Sequence, residues 1–276
     1  MPADAALDLL HARRLVVLTG AGMSTDSGIP DYRGPGAPDR TPMTYQEFVS
    51  GPVARRRYWA RSHLGWGRMR QAVPNAGHHA VAALDPTLLI TQNVDGLHEQ
   101  AGSHDAVALH GRISDVVCLD CRRVTARRDL QHRLDELNPG WADAHTDVAV
   151  RPDGDVDLET TDGFVVPGCE ACGGILKPHV VFFGENVPRD RVEVCYSAVD
   201  ALADRTSESE GALLVAGSSL TVMSGLRFVR RAARNGTPIV IVNRGATRGD
   251  DLATYKVEAG CSEFLTELAG AVRSVA

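Results

Sequence analysis

Residues 15–34, LVVLTGAGMSTDSGIPDYRG, constrain the fold of this chain more than any other stretch. The continuous apolar run from Leu15 to Leu18 predicts a strand buried on both faces. It leads directly into Gly20-Ala21-Gly22 and then a loop of small polar residues. A strand ending in such a turn brings backbone N–H groups against a pyrophosphate, because glycine turns tightly and leaves no Cβ in the way. The spacing departs from G-x-G-x-x-G: Thr25 stands where the third glycine would be, and the next glycine is Gly28. No acidic residue closes a second strand about 20 positions on, where a dehydrogenase holds the ribose hydroxyls. Asp31, Tyr32 and Arg33 instead put a carboxylate, a ring and a guanidinium beside the loop. The stretch reads as a dinucleotide site arranged for something other than hydride transfer.

Four further short apolar runs predict strands: 88–91 (LLIT), 180–183 (VVFF), 213–217 (LLVAG) and 239–243 (IVIVN). Helix-length segments lie between several of them. One runs from Val222 to Asn235, with Leu226, Val229 and Ala233 on one face. This alternation predicts an α/β fold, a Rossmann-like parallel sheet with helices on both faces. Ligands of such sheets sit at the carboxyl ends of the strands. There the chain places Gly20 to Gly22, Gln92 to Asp95, Gly217 to Ser219 and Asn243 to Gly245.

Two segments interrupt the alternation, and together they suggest a single catalytic domain over 1–276 with two inserted parts. Residues 35–77, rich in Pro, Gly, Arg and aromatics, read as a helical insertion; 112–176 read as a metal module. The sheet part is expected over 10–34, 78–111 and 177–276. Within the module, residues 143–162 hold seven acids and one base, Arg151, which predicts an exposed loop. The net charge of −6 argues against nucleic acid as the main partner. The arginines at 55, 56, 57, 61, 68 and 70 read as a solvated helical face. No run reaches the roughly 18 apolar residues of a membrane span, and no export signal is visible, so a cytoplasmic protein is expected.

Four of the six cysteines form two C-x-x-C pairs, Cys118 with Cys121 and Cys169 with Cys172, separated by 47 residues. Two such knuckles can present four thiolates to one tetrahedral zinc. A full set of four thiolates leaves no open position, so the predicted ion is structural.

The segment TQNVDGLHEQAG (91–102) follows the second strand, and Leu109-His110-Gly111 comes soon after. Gln92, Asn93, Asp95 and His110 therefore converge on the edge that holds the glycine turn. A histidine is the natural group to take a hydroxyl proton near neutral pH. On spacing alone, His98 is as eligible as His110.

Seven stretches in order, GAGMSTDSGIPDYRG, TQNVDGLH, LHG, the paired C-x-x-C, KPHVVFFGE, GSSL and VNRG, resemble the sirtuins, the NAD-dependent protein deacylases. The resemblance runs from about residue 10 to the C-terminus. RYWAR, WGRM, the acidic insert and VPGCEACGGILKP are most similar to the class II branch. It implies that His110 is the general base, with Asn93 and Asp95 beside it, and gives His98 no catalytic counterpart. It implies that Gly20, Ala21, Gly22, Asp31 and Arg33 line the phosphate and nicotinamide side of NAD+. Gln92, Asn93 and Asp95 would hold the nicotinamide ribose and carboxamide. Gly217, Ser218, Ser219, Asn243 and Gly245 would hold the adenosine half, with Cys261 near the adenine. Val181, Phe182, Phe183 and Gly184 match the strand that pairs with an acylated-lysine substrate. The products implied are nicotinamide, free lysine and O-acyl-ADP-ribose.

Protein mono-ADP-ribosyl transfer uses the same first half-reaction and is the alternative. A dehydrogenase with a structural zinc is disfavoured by the missing ribose acid. Tyr58 and Arg61 have the Y-x-x-R spacing by which the desuccinylating branch holds acidic acyl groups, but they stand about four residues further from PNAG (74–77) than that branch would place them. Arg61 is therefore expected to be a helix-surface residue.

Overall fold

The computed structural model describes residues 2–31, 42–145, 158, 160–204 and 209–273. In chain order the elements are α1 (Pro2–His11), β1 (Arg14–Thr19), α2 (Tyr45–Val49), α3 (Pro52–Met69), α4 (Ala76–Leu84), β2 (Leu88–Thr91), α5 (Leu97–Gln100), β3 (Ala106–Ala108), β4 (Gly111–Cys118) and β5 (Val124–Ala126). They continue with α6 (Arg127–Leu137), β6 (Leu176–Val180), α7 (Arg189–Ala201), β7 (Gly211–Ala216), α8 (Met223–Arg234), β8 (Ile239–Val242), β9 (Tyr255–Val257) and α9 (Cys261–Arg273).

Six strands form one parallel sheet in the order β3-β2-β1-β7-β8-β9. Counted within that sheet the order is 3-2-1-4-5-6, the doubly wound Rossmann arrangement. The continuous apolar strands follow from the pleat, since successive side chains must find a core on opposite faces. Val17, Leu89, Leu214 and Val240 pack on one face with Leu10 of α1 and Phe264, Leu265 and Leu268 of α9. Val16, Leu18, Ile90, Leu213 and Val215 pack on the other with Val199 of α7 and Phe228 and Val229 of α8. α8 begins one residue inside the expected Val222–Asn235 span, with Val222 and Asn235 as its caps. β3 and β9, three residues each, are additional to the predicted strands.

The run 180–183 corrects the strand reading. Only Val180 of it is in a strand, the end of β6, and β6 lies antiparallel to β4 in a second sheet ordered β5-β4-β6. Phe183 makes a lone parallel bridge to Thr44. An apolar run reports burial and does not say against which partner. Pro178, which cannot donate to a ladder, fits the edge position that β6 occupies.

The smaller sheet packs with α2, α3 and α6 around Phe48, Tyr58, Trp59, Val116, Leu130, Leu134, Phe164 and Phe182. Arg127, the first residue of α6, is fully buried, with its guanidinium 5.2 Å from the Trp59 ring centre and 5.0 Å from that of Trp66. Arg55, Arg56 and Arg57 lie on α3, and Arg56 pairs with Asp162 at 2.9 Å. Most of the acidic insert (146–157 and 159), and with it the expected exposed loop, lies outside the described residues. Among the described residues no helix is long and apolar enough to cross a membrane.

Candidate active site

The strand order reverses between β1 and β7, which is where a doubly wound sheet opens a crevice. The two chains leaving that point nearly touch. Gly20 N–H donates to Ala216 O (3.1 Å) and Gly22 N–H to Gly217 O (2.9 Å). A Cβ on Gly20 would stand 2.8 Å from Gly217 O. Gly217 itself has φ +65°, and a Cβ there would meet the backbone N of Met23. Side chains are excluded from both positions, and the bare backbone forms the floor of a cavity of about 620 Å³.

β2 delivers the next group. Asn93 Nδ2 donates to Ser24 Oγ (2.9 Å), and Ser24 Oγ donates to Asp95 Oδ2 (2.7 Å). The other oxygen of Asp95 accepts the Leu97 N–H at 2.9 Å. Burial raises the Asp95 carboxyl above the usual range, opposed by the hydrogen bonds from Leu97 and Ser24. Gln92 accepts a hydrogen bond from Ser218 Oγ (2.7 Å), which ties the end of β2 to the loop after β7.

His110 stands where the chain passes from β3 of the large sheet to β4 of the small one. Its Nδ1 lies 2.9 Å from the Gln92 carbonyl oxygen and its Nε2 lies 2.8 Å from Ser224 Oγ. A carbonyl only accepts, so Nδ1 carries the hydrogen in the neutral ring and Nε2 carries the lone pair. Burial holds the imidazole below its usual range, against the pull of the Gln92 carbonyl. That combination keeps a neutral base facing the cavity.

His98 is placed differently. It is buried under the sheet, with Nε2 3.0 Å from Thr19 Oγ1 and its ring 4.7 Å from that of His78. Burial pushes it down to about 3, and it does not line the cavity. The tie left by spacing is thus broken by position.

The cavity wall includes Gly20, Ala21, Gly22, Asp31, Gln92, Asn93, Asp95 and His110. The same wall includes Val181, whose N–H donates to the His110 carbonyl oxygen at 2.8 Å, with Phe182, Phe183 and Gly184, and also Gly217, Ser218, Ser219, Asn243 and Gly245. Arg33 lies outside the described residues. Cys261 is not in the wall: it packs into the core behind Gly217, where burial pushes its thiol up to about 12. Reasoning from the sequence passed over Ser24, Ser224, Ile29, Met43 and Ile113, which also line the cavity. Single serines and apolar residues carry no spacing signal that would have found them. Tyr58 lines the cavity, whereas Arg61 does not.

The four cysteines meet as the knuckle reading requires. Their sulfurs lie within 4.8 Å of one another, with Cys118 and Cys172 at 3.6 Å and Cys121 and Cys169 at 3.8 Å. Zinc–sulfur bonds of about 2.3 Å in a tetrahedron set the sulfurs about 3.8 Å apart, and a disulfide would need about 2.05 Å. The donor set fits one structural zinc. The N–H groups of Ala171 and Cys172 hold the Cys169 thiol down to about 7, which favours the thiolate.

Residues 20–224 match the Sir2 family. The NAD-dependent protein deacetylase 1 of Mycobacterium avium (strain 104) is 53% identical over 268 residues, covering 95% of this chain and 92% of that protein. The NAD-dependent protein deacetylase 1 of Streptomyces coelicolor is 54% identical over 270 residues, covering 95% of this chain and 87% of that protein. Among solved structures, a Sir2–p53 peptide–NAD+ complex superposes with a TM-score of 0.77 at 30% identity and covers 100% of both chains. With the family model matching most of the chain and relatives more than half identical over 95% of it, the chain belongs to the Sir2 family.

Proposed function

We propose that the protein is an NAD-dependent protein-lysine deacylase of the deacetylase type. The observation that carries this reading is the setting of His110. A neutral imidazole presents Nε2 to a cavity whose floor is the bare-backbone crossing of Gly20 and Gly217 and whose lining includes Val181 to Gly184. NAD+ supplies a cleavable nicotinamide–ribose bond and a ribose hydroxyl that can accept the acyl group.

The glycine crossing fits a pyrophosphate. Asn93 and Asp95, locked through Ser24, are placed for the nicotinamide carboxamide and ribose, and Ser218, Ser219, Asn243 and Gly245 for the adenosine half. Val181, Phe182, Phe183 and Gly184 line the same cavity as His110, which suits an acyl-lysine peptide and favours deacylation over transfer of ADP-ribose to protein. His110 Nε2 takes the proton of a ribose hydroxyl, and the apolar walls exclude water while it does so.

In this reading residues 10–34, 78–111 and 177–276 bind the nucleotide and 35–77 shape the acyl end. Residues 112–176 form the zinc-bound support, which shares β6 with the last of the nucleotide-binding segments. The nonbonded thiols fit a reducing compartment, and we place the protein in the cytoplasm.

The test is His110→Ala with an acetyl-lysine peptide and NAD+. O-acetyl-ADP-ribose formation should fall by roughly 10²-fold or more, while exchange of labelled nicotinamide into NAD+ persists. Deacetylation at near the wild-type rate would overturn the assignment.

A further inference from the structure

Beyond the cofactor and substrate contacts lies a residue that acts on the base itself. Ser224 is the second residue of α8, and its hydroxyl does not cap that helix. It turns to His110 instead, 2.8 Å from Nε2. The ring is thereby held at both nitrogens, because Nδ1–H donates to the Gln92 carbonyl. The close approach of α8 is built in. Gly225 sits against the Gln92 side chain, where a Cβ would come within 2.8 Å of Oε1, so a larger residue would require the Gln92 side chain or α8 to shift. Gln92 thus fixes one nitrogen of the ring with its backbone and the seat of α8 with its side chain.

The chemistry of this arrangement is restrictive. Neutral imidazole has one lone pair, on Nε2, and the Ser224 O–H donates to it. The Nδ1 side offers no second route, since a carbonyl oxygen cannot pass a proton on. A ribose hydroxyl can give its proton to His110 only after it takes the position that Ser224 holds. Ser224 lines the cavity and can turn about its Cα–Cβ bond. We propose that Ser224 is a positioning residue that caps the base: it holds the His110 ring in the free enzyme and yields Nε2 to the ribose hydroxyl when NAD+ binds. The proton step is then a direct transfer from the ribose O–H to Nε2, with Ser224 retaining its own proton. This inference rests on His110 being the base.

Ser224→Ala removes the cap. A net hydrogen bond is worth about 0.5–1.5 kcal/mol, so the apparent KM for NAD+ should fall roughly 2- to 10-fold. The change should appear in KM rather than kcat. Ser224→Thr keeps the hydroxyl and should restore the wild-type KM. A second measurement does not depend on turnover: carbethoxylation of His110 by diethyl pyrocarbonate, followed by peptide mass spectrometry. It should be faster in Ser224→Ala than in the wild type, and slowed again in Ser224→Thr. An unchanged KM together with an unchanged carbethoxylation rate would overturn the cap. A fall in kcat with KM unmoved would also overturn it, by placing Ser224 in the chemical step. If His110→Ala proves fully active, the base assignment fails instead, and the carbethoxylation result still reports whether Ser224 covers Nε2.

Discussion

The two halves of this molecule are held together by different means. The parallel sheet has an apolar layer on each face, Val17 and Leu214 on one side, Val16, Leu18 and Val215 on the other, all fully buried. Burial alone can sustain it. The three-stranded sheet has one face to cover and a short core that admits a charge. Arg127 lies between two indoles with its Nε and Nη1 unpaired, and burial pushes its guanidinium down to about 10. A small unit that tolerates such a residue needs a staple, and the four cysteines stand ready to supply it. The difference teaches that shape in the large half is inherited from side-chain pattern, while the small half adds four cysteines positioned to bind a structural ion.

The largest expected effect separates the halves directly. All three tryptophans of the chain, Trp59, Trp66 and Trp141, lie in the small half. Metal removal by a strong chelator, or Cys169→Ser, should shift their emission to that of solvated indole. Zinc binding in small domains is worth about 10–16 kcal/mol of folding free energy, so the loss should be complete. Far-UV circular dichroism should keep the signal of the parallel sheet and its helices and lose only that of α2, α3, α6 and the small sheet. If emission and dichroism collapse together, the halves fold as one unit; if chelation leaves emission untouched, the metal is not the staple.

The next effect falls on the other half. Gly217→Ala puts a side chain at φ +65° against the backbone of Met23. Strain of this kind costs about 1–3 kcal/mol, and the added methyl also fills the crevice floor. The thermal midpoint should drop by several degrees and NAD+ affinity by more than tenfold, with zinc content unchanged. Zinc loss in this variant would show that strain in the crevice reaches the small half.

How much of this was legible beforehand follows the same division. The strands at Leu15, Leu88, Leu213 and Ile239 declare themselves because both their faces must be apolar. The glycine crossing was visible as glycine at both strand ends. The paired knuckles were visible because metal geometry fixes their spacing. Residues 180–183 were misread because Phe182, with Val180 partly, packs into a core shared with α2 and α3 while Phe183 is exposed, and nothing local names the partner strand. Cys261 is assigned to the adenine side by the resemblance alone, and in the fold it packs behind Gly217. Ser224 and Arg127 were invisible for another reason: each matters through one long-range contact, and a lone residue has no period.

A pH-dependent effect comes from two histidines beneath the large sheet. Burial pushes His78 down to about 4 and His98 to about 3. Unfolded, both would titrate near 6.5, so below that pH the unfolded chain binds more protons than the folded one. Stability from these sites is complete above pH 6.5 and is lost as pH falls toward 4, by about 1.4 kcal/mol per pH unit for each histidine. Urea midpoints measured between pH 7.5 and 5 should show this slope, and His98→Gln should reduce it by about one proton. A slope unchanged in that variant would show that His98 does not set the acid sensitivity, leaving it to His78 and to His63, His110 and His179, whose imidazoles are also held low.

The smallest effect lies where the small half touches the cavity. Tyr58 stands edge-on to Phe48 and Trp59, at 5.5 Å and 5.3 Å, and reaches the wall together with Ile29, Met43, Ile113 and Phe182. That end of the cavity is apolar, and Arg61, one turn further along α3, is not part of it. None of the described residues that line that end is a lysine or arginine, so an acyl chain ending in a carboxylate would be desolvated there at a cost of several kcal/mol. Acetyl-lysine peptides should therefore turn over faster than succinyl-lysine peptides, and Arg61→Met should leave their ratio within about twofold. A tenfold fall in succinyl turnover in that variant would mean that Arg61 swings into the cavity when substrate binds. The small half would then read the substrate's charge as well as support the site.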